Sequence, residues 1–154
     1  MRPLIFILKG GLSMLVNKFS VEEIYQGRLE TGDDLVEELT SFVQGKDIKE
    51  GKISAIGAVQ KAVISYYDQD DKEYYDKEFD ESLEIVNLEG NISLNDGEPI
   101  VHAHIALADE EGNLYGGHLE EGTVVFACEF VIQEYEGEPF ERGLHQPTEL
   151  PLWK

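Results

Sequence analysis

Three of the chain's four histidines fall in one stretch, VHAHIALADEEGNLYGGHLEEG, as His102, His104 and His118. Neutral imidazole binds zinc well, and nickel, iron and manganese are alternatives. Val101, Ala103, Ile105 and Leu107 alternate with His102 and His104. Side chains on a strand alternate with period two, so both histidines share the face opposite the apolar set. Their Cα atoms would lie roughly 6.5 Å apart, two rises of ~3.3 Å, and both rings can lean toward one ion. If the turn within Asp109–Asn113 centres on Glu111, residue 104 lies directly opposite residue 118. A slip of one residue, or a bulge at Gly116-Gly117, would send His118 to the other face. The plainer alternative is a polar strand face with no joint task. Three of four histidines at converging parity favour a metal site with His102, His104 and His118 as ligands. Three protein ligands leave a position open for water or substrate, as in catalytic zinc sites. His145, in the C-terminal stretch, reads as a surface residue.

Two further residues are candidates. Glu84 interrupts the apolar run LEIVNL, where a carboxylate is either on a solvated face or paired at a site. Near a metal it would serve as a ligand or a general base. Arg142 is one of few cations in the C-terminal half and reads as a surface ion pair, with a clamp on a carboxylate ligand as the alternative.

The elements that must position these groups are mostly strands. Residues 18 to about 30 read as a first strand. TGDDLVEELTSFVQGK reads as a helix, with Leu35, Leu39, Phe42 and Val43 on one stripe, Thr31 or Asp33 as cap and Gly45 as stop. KISAIGAV and KAVISYYD are two short β-prone runs. The segment 68–81 carries eight acids against two lysines and reads as a solvated hairpin or loop. Its aromatics, with Tyr66 and Tyr67, suit a sheet face or a subunit contact better than base stacking. SLEIVNLEGNISL, EPIVHAHIALA, LYGGHL and TVVFACEFVIQEYEG complete about seven strands. The tail from residue 138 holds three of the five prolines and reads as irregular. One main helix against this many strands is an α+β domain on an antiparallel or mixed sheet.

The whole chain bounds the function. Its 154 residues suit one domain, expected over residues 18–145, with an N-terminal extension (1–17) and a C-terminal tail (146–154). Met14 is the expected natural start. The apolar run Leu4–Leu8 is too short to span a bilayer and Lys9 interrupts it, so neither a signal peptide nor a membrane anchor is expected. A net charge of −20, with 12 scattered Lys and Arg, should repel nucleic acid and anionic membranes. The single cysteine, Cys128, lies in VVFAC and reads as a buried, reduced core residue, which points to the cytoplasm. The glycines are backbone devices; GGHLEEG lacks the spacing and lysine of a phosphate loop.

These segments together resemble the PPC (plant- and prokaryote-conserved) domain over about residues 20–143. The resemblance is carried by GRLETGDDLVEEL, by ISAIGAVQKAVISYYD, by SLEIVNLEGNIS (Leu83 standing where the family motif has Phe) and by HAHIALADEEGNLYGGHLEEGTV. It implies a compact α+β fold assembled as a homotrimer, and places Glu84 and Arg142 at family positions. Plant members add AT-hooks, which need an Arg-Gly-Arg-Pro core; MRPL at the N-terminus lacks it. Prokaryotic members are often labelled DNA-binding, which sits poorly with this charge. The fold is also similar to that of acetolactate decarboxylase, a zinc enzyme with a His-x-His pair and a later His. The expectation is a zinc-binding PPC-domain protein with a small-molecule ligand; the alternatives are a DNA-associated protein and a zinc-dependent lyase or hydrolase acting on a small acid.

Overall fold

The computed structural model describes residues 4–7 and 13–154, with side chains from Met14 onward. Residues 1–3 and 8–12 of the expected N-terminal extension lie outside the described residues. Its described part is an antiparallel pair, β1 (Leu4–Ile7) with β2 (Ser13–Val16).

The remaining elements follow in the order β3 (Ser20–Leu29), α1 (Leu35–Gly45), β4 (Gly51–Asp68), β5 (Glu73–Phe79), β6 (Leu83–Asn95), β7 (Glu98–Ala108), β8 (Leu114–Leu119), β9 (Val124–Glu136), β10 (Arg142–His145) and β11 (Leu150–Trp153). Strands β3 to β9 form one seven-stranded antiparallel sheet in the order β3-β9-β4-β6-β7-β8, with β5 also on β4. This is the expected α+β class with one helix.

The two β-prone runs are one strand. β4 continues through Gly57, where its register with β6 shifts, and again past Val59, where its register with β9 shifts. Gly57 has φ +149°, which disfavours other residues, and this bend lets one strand serve two partners. The first half of β4 lies between β6 and β9; the second half pairs with β5 and, at Ile64 and Ser65, with β8. That last pairing closes β4, β6, β7 and β8 into a ring. The acidic segment is the β4–β5 hairpin, as expected.

Apolar side chains of the inner sheet face and of α1 make one core, which includes Leu39, Ile53, Leu88, Ile105 and Leu107. The helix buries Leu35, Leu39 and Val43. Its cap is Asp34, not Thr31 or Asp33: the Asp34 carboxylate accepts from the N–H groups of Val36 and Glu37. Gly32 N–H to Val125 C=O and Leu35 N–H to Thr123 C=O fix the approach, leaving Asp34 the last non-helical residue. The helix includes Gly45 and breaks at Asp47, which takes the left-handed conformation (φ +58°). Cys128 is buried and free, and burial pushes its thiol up to about 11. The tail is not irregular. β10 and β11 form a hairpin whose turn closes through Glu149 N–H to His145 C=O, 2.8 Å.

Gly117 sits where β4 crosses β8. A Cβ there would lie 2.6 Å from the Ser65 carbonyl oxygen, a backbone atom that cannot turn aside. Gly117→Ala should therefore cost about 1–3 kcal/mol, read as a lowered denaturant midpoint, and should displace His118. An unchanged midpoint would mean the crossing is loose.

Candidate metal centre

Strand β7 keeps the expected alternation: Val101, Ala103, Ile105 and Leu107 are buried in the core, while His102 and His104 face outward. β8 pairs with β7 without a register shift, His104 directly opposite His118. The expected turn centre is correct, and Gly116-Gly117 makes no bulge. The three rings converge. Their centroids are 5.5 Å (His102–His104), 4.9 Å (His102–His118) and 5.5 Å (His104–His118) apart. One ligand nitrogen from each ring lies within 4.8 Å of the other two, a span that small side-chain rotations close onto one cation. Burial, with Arg142 and the other two rings adding, lowers the His102 pKa to about 4. Burial also lowers that of His118; Glu120 opposes it, and His104 and Arg142 reinforce it. Such imidazoles stay neutral near pH 7 and keep the lone pairs a metal needs. The donor set fits a borderline cation.

The triad lines a pocket of about 830 Å³. Arg142 also lines it and is 7% exposed. Its guanidinium donates to Asn91 Oδ1 (2.7 Å), Ser93 Oγ (3.0 Å) and the Pro151 carbonyl (3.0 Å). Asn91 is the register partner of His102 on β6, so the cation sits behind that ring. The surface ion pair expected for Arg142 is thus replaced by a buried cation that lines the pocket. Glu84 is elsewhere. It pairs with Ala108, two same-face positions along β7 from His104, and is exposed in a separate groove with Phe126. His145 is exposed, as expected.

Sequence reasoning missed the two carboxylates that line the pocket, Asp76 and Glu120. Glu120 Oε1 is 3.9 Å from His118 Nε2, and the Ser65 hydroxyl donates to that oxygen. Glu120 follows His118 by two residues, so strand parity alone placed it on the same side. Ser65 had no such signal, because its position depends on the long-range β4–β8 pairing. Tyr67 and Tyr74 also reach the pocket, the Tyr74 ring centroid 5.6 Å from that of His118.

The chain matches the Plants and Prokaryotes Conserved (PCC) domain over residues 16–136, and it belongs to that family. A metal-containing protein of Archaeoglobus fulgidus has the same fold, with TM-score 0.88 and 45% identity over 92% of this chain and 99% of that one. A plant- and prokaryote-conserved (PPC) protein of Pyrococcus horikoshii follows at TM-score 0.86 and 38% identity, covering 92% and 97%. A Bacteroides thetaiotaomicron protein to which DNA binding has been ascribed gives TM-score 0.80 at 28% identity, covering 90% and 98%. A bifunctional protein GlmU of Synechococcus is 34% identical over 110 residues, 71% of this chain but 16% of that protein. The chain thus spans about one-sixth of the length of the curated relatives it matches.

Below the pocket, Glu50 is 4% exposed and accepts from the Phe140 N–H (2.8 Å), which fixes the segment leading to Arg142. Burial outweighs its hydrogen bonds and Arg142, and raises its pKa from 4.5 to about 7. Between those values the folded chain keeps a proton that the unfolded chain has lost. This contribution to stability is therefore full below about 4.5 and lost as pH rises to about 7, by roughly 2–3 kcal/mol. Glu50→Gln should flatten that part of the stability–pH curve in urea titrations; a variant that tracks the native chain at every pH would contradict it.

Proposed function

We propose that this chain binds a divalent metal, zinc first among them, through His102, His104 and His118, and uses the adjoining pocket for a small acidic molecule. The observation that carries this reading is the convergence of three imidazoles, one ligand nitrogen each within 4.8 Å, on the wall of a pocket that also holds a buried arginine. It is supported by the metal-containing protein of Archaeoglobus fulgidus, 45% identical over nearly its whole length. When bound, such a cation supplies Lewis acidity toward water or a ligand oxygen. The chain's own groups do the rest. Arg142 offers positive charge to a carboxylate, and Glu120, held by Ser65, is the acceptor placed to take a proton beside His118. Glu84, in its separate groove, takes no part. Lyase or hydrolase chemistry on a small acid would use the same groups.

DNA binding, ascribed to the Bacteroides thetaiotaomicron protein among others of this fold, is disfavoured by the net charge of −20. Among the described residues no helix is long and apolar enough to cross a membrane. We further read the chain as a cytoplasmic homotrimer. The buried free thiol of Cys128 supports a reducing compartment, and the exposed Ile56, Val86 and Phe126 of three adjacent strands support a covered sheet face.

Elemental mass spectrometry of protein prepared without tag or chelator should find near-stoichiometric zinc, lost in His102→Ala/His104→Ala. Absence of metal from both, even after incubation with zinc, would refute the reading. A duplex should not be retained even at low salt; retention that falls steeply with salt would restore the DNA alternative.

A further inference from the structure

Part of the pocket wall is apolar and comes from two hairpins beside the histidine strands. The β4–β5 hairpin gives Tyr66, Tyr67 and Tyr74; the β10–β11 hairpin gives Leu150, Pro151 and Leu152. The second hairpin lies beyond residue 136, where the family match ends. It is nonetheless firmly seated. Trp153 stacks on Phe140 with centroids 4.5 Å apart, Arg142 holds the Pro151 carbonyl, and Lys154 N–H donates to the Glu141 carbonyl at 3.1 Å. The two hairpins are latched to each other. The Tyr67 hydroxyl donates to the Thr148 carbonyl (2.6 Å), and Lys72 pairs with Glu149 (2.7 Å).

Apolar side chains on this wall remain in water: Tyr66 is 66% exposed and Leu152 38%. Among the described residues Arg142 is the one Lys or Arg lining the pocket, which also holds the carboxylates of Asp76 and Glu120. A volume of about 830 Å³ is far more than a two-carbon acid needs and lies in the range of pockets for drug-sized ligands.

We propose that the pocket takes a carboxylic acid with an aromatic or branched apolar body. The carboxylate lies toward Arg142 and the histidines, the body between the tyrosines of one hairpin and the leucines of the other, and Leu150 and Leu152 select for the body. The inference rests on the reading of this pocket as the functional site.

Calorimetric titration of the full chain with acetate and with 3-phenylpropionate, zinc-loaded and metal-free, tests it. 3-Phenylpropionate should bind about tenfold tighter than acetate, from apolar burial alone. Leu150→Ala/Leu152→Ala should abolish most of that preference. Tyr66→Ala, at an exposed position on the other hairpin, should weaken it too and covers the case in which the double variant does not fold. Equal affinities, a preference untouched in the variants, or no binding of 3-phenylpropionate would overturn the proposal. Zinc measured in the same samples separates the two readings. Zinc without the preference refutes the ligand class alone; the preference without zinc supports the ligand class and refutes the metal alone.

Discussion

Strand β8 is held between two neighbours, and the register of that double pairing decides where every polar group of the pocket points. On one side β7 sets His104 against His118; on the other β4 sets Ser65 against the same histidine. A slip of one residue against β7 would turn His118 into the core and a core residue into water. The pairing with β4 closes the ring of strands and needs a glycine at 117, where the Ser65 carbonyl leaves no room for a Cβ. Gly57 permits the bend that brings the second half of β4 across. The histidine cluster is therefore a product of long-range sheet geometry, with each ring carried on a paired strand.

The electrostatics follow from what this geometry buries. In a chain of charge −20, Arg142 in the pocket is the one cation among the described residues that is withdrawn from water. Arg142 is held there by the side chains of Asn91 and Ser93 and the Pro151 carbonyl, all on elements next to the pocket. A buried guanidinium beside an imidazole disfavours the charged ring, as does burial itself, and His102 responds to both. The same arginine, beside His102 and His118 with their lowered pKa values, suits an anionic ligand. Glu120 supplies the opposite charge at the far side of His118, tied down by Ser65.

Much of this was legible in the sequence, and the parts that were not share a physical reason. Period-two alternation placed His102 and His104 on one face, and a turn centred on Glu111 placed His118 opposite, because a hairpin is a local object. The helix stripe was equally local, though its cap fell one residue beyond Asp33, set by backbone bonds to residues 123 and 125. Glu120 obeyed the same alternation and was readable. Ser65, Asn91 and the C-terminal hairpin were not. They reach the pocket through pairings between segments far apart in the chain, and β4 was read as two strands because its bends look like ends. Glu84 shows the converse: a carboxylate in an apolar strand, on the outer face but too far along it to meet the histidines.

Membership in the PCC domain family supplies the fold; the side chains in the pocket must supply the function. The central claim is that His102, His104 and His118 act on one ion. Anomalous diffraction at the zinc absorption edge, from crystals of zinc-loaded protein, tests it most directly. A single strong peak within ~2.1 Å of one nitrogen of each of the three rings is the predicted result. Zinc bound elsewhere on the acidic surface, with the three rings free of it, would contradict the claim.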